Sequence, residues 1–313
     1  MKKYILTVTL NPALDKTVKV PNFKAGLDHR TEGLYVNAGG KGINVSRALN
    51  ILGSPNLATG ILGGRTGEWI IEELKKEKIK NDFLKIDTET RTNLTIVDAE
   101  GSAITRVIER GLPIDRSALS SFKKKFGLLL KNSEYVIFSG SNATGLRDDL
   151  YCELIEMARS KAVKTVLDTR GKPLALGARA RPFILKPNLE EAEYITGTKL
   201  NSLAKIKEAA KKLSSKGIEI VVITMGSAGA ILYRASRTIY ARPPSVKYTS
   251  HVGCGDAFLA GLLDSLAKRR SLELSLKIAS ASGAASALTQ KSGAFNISDM
   301  KKLVRRVRIA ISG

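Results

Sequence analysis

The chain has 313 residues, 43% of them apolar and 26% charged, ordinary values for a globular protein. That length allows one large or two modest domains, and no apolar run approaches the roughly 18 residues of a membrane-spanning helix. Lys and Arg number 51 against 29 Asp and Glu, and the net charge of +22 points to a polyanionic or phosphorylated partner.

In chain order, residues 4–10 read as a strand that ends at Asn11-Pro12, with Asp15 just beyond. The apolar stretch is too short for a signal peptide, so a cytoplasmic protein is expected. Further β-branched runs at 57–61, 135–139, 164–168, 183–186 and 218–224 predict strands. Amphipathic patterns near 41–52, 68–78, 117–130, 148–160, 203–214 and 255–266 predict helices between them. This alternation argues for an α/β fold with a mostly parallel central sheet covered on both faces. Beyond Asp256 the pattern reads as purely helical, through 272–287 and 298–311, packed on one side of that sheet.

Two stretches break the alternation. Segments 17–20 and 34–37 have no helix between them, nor do 92–97 and 103–108 across Ala99-Glu100-Gly101. Their partners must be each other, which predicts a small antiparallel lid built from segments near 17–37 and 91–109. No linker or repeat interrupts the sequence, so residues 1–313 read as one domain with a lid. Only Cys152 and Cys254, and only His29 and His251, are present, which argues against a disulfide framework, a zinc cluster or a histidine-based mechanism.

Neither a P-loop nor a dinucleotide fingerprint is found, but three other glycine segments stand out. Ala38-Gly39-Gly40-Lys41-Gly42-Ile43-Asn44 precedes a predicted helix, where close backbone and a lysine favour an anion. A tight turn with a solvated lysine explains it equally well. Gly253-Cys254-Gly255-Asp256 opens another helix, with N–H groups converging as in an anion hole. A lone Asp in a first turn is more often a cap than a catalyst. Thr224-Met225-Gly226-Ser227-Ala228-Gly229 follows an apolar strand, where parallel sheets place ligands; a hairpin turn into 231–233 is the alternative.

Together these segments resemble the ribokinase-like (phosphofructokinase B) carbohydrate kinases, in the phosphosugar branch. The resemblance spans the chain, adding Thr9-Leu10-Asn11-Pro12-Ala13-Leu14-Asp15, Thr90-Arg91-Thr92-Asn93, Ser139-Gly140-Ser141 and Lys186-Pro187-Asn188-Leu189-Glu190-Glu191. Cys254 stands where that family's C-terminal signature usually has alanine, a change that leaves the backbone N–H groups in place.

The resemblance implies a three-layer α/β/α sandwich and ATP-dependent phosphorylation of a phosphoketose, with fructose 1-phosphate first. Tagatose 6-phosphate and fructose 6-phosphate are the alternatives. Asp256 is then the base, with Gly253, Cys254 and Gly255 around the transferred phosphoryl group. Asp15, Gly39, Gly40, Asn44, Asn93 and Ser139 bind the sugar. Arg30, Lys41, Arg91 and Arg106 converge on its phosphate, as a bidentate-capable cluster would. Lys186, Asn188, Thr224, Gly226, Ser227 and Gly229 line ATP, and Glu191 orders Mg2+ through water. A homodimer through the lid is expected, with no membrane partner.

The competing reading is a nucleic-acid-binding protein using Lys268-Arg269-Arg270 and residues 301–308. Aromatics at 5% offer no stacking platform, and Leu303, Val304 and Val307 recur at helical spacing, so no nucleic-acid partner is expected.

Overall fold

The computed structural model describes residues 3–98, 100, 103–111 and 113–312; Ala99 and Gly101, in the expected turn of the lid, lie outside them. The chain runs through β1 (Tyr4–Thr9), β2 (Ala13–Val20), β3 (Gly33–Gly39), α1 (Lys41–Ile51), β4 (Asn56–Gly63), α2 (Gly64–Lys76) and β5 (Leu84–Ile86). Next come β6 (Thr92–Asp98), β7 (Ile104–Ile108), α3 (Arg116–Leu129), β8 (Ser133–Ser139), α4 (Leu150–Arg159), β9 (Lys164–Asp168) and α5 (Gly171–Arg179). β10 (Ile184–Leu185), α6 (Leu189–Thr196), α7 (Leu203–Ser214), β11 (Ile220–Thr224), β12 (Ala230–Arg234) and β13 (Arg237–Arg242) follow. The chain closes with α8 (Cys254–Ala267), α9 (Leu272–Ser286), α10 (Ile297–Arg306) and β14 (Arg308–Ser312).

Ten strands form the main sheet in the order β14-β13-β12-β11-β10-β9-β8-β1-β4-β5. From β11 to β5 every pairing is parallel, whereas β12, β13 and β14 add antiparallel edges. Alternation along the strands separates two cores. Val136, Phe138, Val221 and Ile223 pack with Phe122, Tyr151, Leu174 and Leu213 from α3, α4, α5 and α7. Their neighbours Tyr135, Ile137, Ile220 and Val222 pack with Val45, Leu259, Leu276 and Leu303 from α1, α8, α9 and α10. A strand buried on both faces needs an unbroken apolar run, which is what 220–223 supplies.

The chain leaves β1 toward β4 on one side and later returns through β8 on the other. This is a topological switch point, and the crevice beyond its strand ends is where such sheets bind ligands. Asn11, Ser141 and Asn142 lie there, on the wall of a cleft of about 760 Å³.

The lid is the second sheet, ordered β3-β2-β6-β7. Its β2–β3 and β6–β7 pairs are antiparallel as expected, but they join through a parallel β2–β6 pairing. Both outgoing strands follow from neighbouring parallel regions of the main sheet, so they leave in the same direction.

The tail differs from its helical expectation. α10 ends at Arg306, and Arg308–Ser312 pairs antiparallel with β13. Met300, Leu303 and Val307 are buried, so the basic segment is docked, and Lys268 and Arg270 both pair with Asp264. Among the described residues no helix is long and apolar enough to cross a membrane. α5 and α6 carry little periodic signal; Pro173 is tolerated in the first turn of α5, and a Cβ at Gly177 would lie 2.8 Å from Leu167.

Candidate active site

Two helix N-termini meet at the centre of the site. α8 starts from Gly253, whose φ of +83° suits glycine and whose missing side chain is required. A Cβ there would fall 2.3 Å from the backbone nitrogen of Gly293. No side chain caps α8 or α1, whose Gly40 N-cap has φ +119°. Uncapped first turns leave N–H groups and the positive dipole end available to an anion.

Asp256, in the first turn of α8, is 5% exposed and accepts a hydrogen bond from Asn44 Nδ2 at 2.9 Å. It does not cap its own helix. Burial pushes its pKa up to about 6; Lys41 opposes that rise, Asp168 adds to it, and Asn44 and Lys186 oppose it. That burial follows from α8 being enclosed along nearly its whole length.

Beside it, Asp168 at the end of β9 gathers two lysines. Lys186 Nζ lies 3.1 Å and Lys41 Nζ 3.3 Å from the same oxygen, Asp168 Oδ1. Ser139 Oγ donates to Oδ2 at 3.4 Å. Burial pushes the Asp168 carboxyl up, but Lys186 and Lys41 outweigh it and hold it below the usual range. Asp168 in turn raises the pKa of Lys41 against desolvation, with smaller help from Asp256 and Glu191.

On the lid side, Asp15 of β2 accepts from Asn93 Nδ2 at 2.8 Å. Burial raises its pKa, opposed by Asn93, Arg91, Arg47 and Arg106. Gly39, paired with Ala13 across β2–β3, must lack a side chain here, since a Cβ would fall 2.0 Å from Asp15 Oδ2. The buried Oδ1 of Asn93 has no hydrogen-bond partner among the described residues, leaving an acceptor for a hydroxyl.

The structure gives the four cations expected to converge different surroundings. Lys41 belongs with Asp168 and Asp256, and Arg91 and Arg106 act on Asp15. Arg30 is exposed, and its side chain makes no hydrogen bond or ion pair among the described residues. Arg91 donates to the carbonyls of Glu109, Asn11 and Pro12 at 2.8, 3.1 and 3.3 Å, tying the lid to the end of β1. It still lines the large cleft, where Arg110 and Arg170 join it.

The cleft reaches Asn188 and Glu191. These two form a reciprocal capping box on α6, each side chain accepting from the other's backbone N–H at 2.8 Å. Glu191 thereby engages Oε2 and keeps Oε1 free of hydrogen bonds among the described residues. Thr224 ends β11 and bridges to Asn188. Gly226, Ser227 and Ala228 form a short turn into β12, so the hairpin alternative describes the backbone correctly. Gly229 is needed for packing, since a Cβ would sit 2.0 Å from the Ala241 carbonyl.

The model of the pfkB family of carbohydrate kinases matches residues 9–299. The chain belongs to that family. The pfkB kinase is 36% identical to a 1-phosphofructokinase of Borreliella burgdorferi over 307 residues, covering 97% of this chain and 98% of that one. It is 31% identical to a tagatose-6-phosphate kinase of Staphylococcus epidermidis over 308 residues, covering 97% and 99% respectively. The crystal structure of Escherichia coli phosphofructokinase-2 superposes with a TM-score of 0.92 at 25% identity, covering 97% of this chain and 99% of that one.

Two groups in this pfkB kinase escaped sequence reading. Asp168 is a single carboxylate closing an apolar strand, and only its place at the carboxyl end of a central strand could have marked it. Arg47 lies mid-helix on α1 with 3% exposure, and the available signal was an arginine at four-residue spacing between Ile43 and Ile51, on the apolar side of the helical pattern.

Proposed function

We propose that this carbohydrate kinase transfers the γ-phosphoryl group of ATP to a hydroxyl of a phosphoketose, with fructose 1-phosphate first and tagatose 6-phosphate second. The carrying observation is the buried Asp256 carboxylate at the uncapped start of α8, next to two lysines fixed by one aspartate. In this reading Asp256 takes the proton of the attacking hydroxyl. Phosphoryl transfer passes through a loose transition state, so positioning and charge neutralisation do most of the work. The N–H groups of Gly253, Cys254 and Gly255 and the ammonium groups of Lys41 and Lys186 supply that charge. Asp15, Asn93, Gly39, Gly40 and Asn44 hold the sugar hydroxyls, with Ser139 acting through Asp168.

Lys186, Asn188, Thr224, Gly226, Ser227 and Gly229 take the nucleotide in the same reading. A free Glu191 oxygen on the cleft wall suits Mg2+, which keeps most of its waters and needs few protein ligands. Bound there through water, the ion would neutralise phosphate charge.

Phosphate selection follows from the cleft arginines. A phosphate can take the donors that Arg91 does not spend on the three carbonyls, together with those of Arg110 and Arg170; a neutral ketose forgoes these charged hydrogen bonds, each worth about 1.5–3 kcal/mol. Two losses amount to roughly 10²-fold or more in kcat/KM. An ADP-release assay with Mg-ATP over fructose 1-phosphate, fructose 6-phosphate, tagatose 6-phosphate, fructose and ribose tests this. We expect one phosphoketose to lead and fructose to trail it by about 10² or more. Equal efficiency for fructose and its phosphates would refute phosphate selection. Arg91→Ala should hurt the phosphosugar more than fructose; an equal loss on both would leave Arg91 as a lid tether alone.

The lid strands expose Leu34, Ile104, Val107 and Ile108 at 54–60%. Bare strand faces and edges of this kind invite pairing. We propose that two copies pair through the lid. Sedimentation at micromolar concentration should give a dimer, and a monomer with and without substrates would end the idea.

A further inference from the structure

Arg47 is a charged side chain placed almost wholly inside the protein, on the turn of α1 that follows Asn44. Its guanidinium has five N–H groups. Nε donates to Glu77 Oε2 at 2.5 Å, and Nη2 donates to Glu77 Oε1 at 3.1 Å and to the Ala38 carbonyl at 2.8 Å. Nη1 donates to the Ser292 carbonyl and to Asn44 Oδ1, each at 2.8 Å. Every donor has an acceptor. Four of the five contacts tie β3, α1, the end of α2 and the 292–293 turn together. The fifth reaches the chemistry.

An asparagine amide presents an oxygen on one side and two N–H donors on the other. Arg47 offers donors only, so the oxygen of Asn44 must face it, and Nδ2 is turned toward Asp256 Oδ2 at 2.9 Å. The reversed amide would set N–H against guanidinium and oxygen against carboxylate, losing both bonds. The 292–293 turn presses on the same residue, since a Cβ at Gly293 would fall 2.6 Å from the Asn44 carbonyl. We infer that Arg47 is a positioning residue for phosphoryl transfer, holding Asn44 in the one amide orientation that keeps a hydrogen-bond donor on the Asp256 carboxylate.

The inference rests on the reading of Asp256 as the base. Charged groups around Asp256 come from three other elements: Lys41 from α1, Asp168 from β9 and Lys186 after β10, with the Cys254 thiol on its own helix. Asn44 is the neutral donor among them. Without its N–H, an already buried carboxylate is harder to ionise, and the base is protonated at a higher pH.

The test is the pH profile of kcat/KM for the phosphosugar between pH 5 and 9. For the wild-type enzyme, with Asp256 near pKa 6, efficiency at pH 8 should exceed that at pH 6 about twofold. Arg47→Lys keeps the charge but cannot serve five acceptors; it should raise the midpoint by about one unit and that ratio to about tenfold. Glu77→Gln loosens the same guanidinium and should shift the midpoint less, in the same direction. Lys291→Ala removes the 3.0 Å ion pair to Glu77 and serves as the structural control: a lower melting temperature with an unmoved profile.

A folded Arg47→Lys enzyme with the wild-type midpoint overturns the inference. Should Arg47→Lys fail to fold, Glu77→Gln decides alone, and an unmoved profile there also overturns it. Asp256→Ala is the arm for the underlying reading: if it retains more than half of wild-type turnover, the base assignment fails and Arg47 falls with it.

Discussion

Asp256→Ala should lower kcat by about 10²–10⁴, the range for losing a general base. Binding of sugar and nucleotide should change far less. Asp15 and Asn93 lie on the lid, and Lys41 and Lys186 keep Asp168 as their common partner. In the proposed reading the loss should not be total, because the α8 N-terminus and the two ammonium groups would still meet the charge that develops on the phosphoryl oxygens. The same carboxylate should shape the pH response of the intact enzyme. Burial raises its pKa to about 6, so kcat/KM should climb through pH 6 and flatten above 7. An ordinary aspartate would already be ionised across that window, and the profile would be flat. Steady-state rates of both proteins over pH 5–9 check the two statements together. Turnover of the alanine variant above half of wild type would reduce Asp256 to a first-turn carboxylate.

The second large effect is expected in stability. Asp168→Ala leaves the Lys186 side chain, 5% exposed, without its counter-charge, and leaves Lys41 beside it with the same sign. Removing one member of a buried ion pair costs about 3–5 kcal/mol, since the remaining charge is buried and unpaired. For a chain of this size the melting temperature should fall by roughly 5–10 °C. The sign with pH follows from the lowered carboxyl. Its contribution is fully present above the unfolded-state value and disappears as pH falls through the folded one. Differential scanning calorimetry at pH 7 measures the drop, and KM for ATP should rise as Lys186 is released. A melting temperature within about 1 °C of wild type would show that the two lysines do not need this partner.

Much of the frame was legible from local pattern. The alternation of β-branched runs and amphipathic segments marks the parallel strands, because a strand covered on both faces must be apolar throughout, as Ile220–Thr224 nearly is. The start of α1 and the start of α8 are visible in glycines that precede amphipathic runs, and both sit where the site forms. Where local pattern misled, a distant partner made the decision. Residues 308–312 continue a helical-looking rhythm, yet β13 offers an open edge with backbone groups to satisfy, and the segment becomes a strand. The lid strands were recognised, but the parallel β2–β6 contact depends on where the two excursions leave the main sheet.

By itself the sequence determined where most of the apolar residues are buried, where α1 and α8 begin, and that a Gly-x-Gly-Asp turn opens α8. These are properties of short stretches, set by side-chain periodicity and by backbone freedom at glycine. Only the tertiary structure decided what faces what. Asn44 and Asp256 stand 212 positions apart, and Lys41 and Asp168 stand 127 apart. No spacing rule connects them, because the sheet order brings β9 and the two helix N-termini together. The raised pKa of Asp256 and the lysine pair on Asp168 are both consequences of that juxtaposition. Coulomb energy and desolvation depend on distance and burial in space, and neither is encoded in distance along the chain.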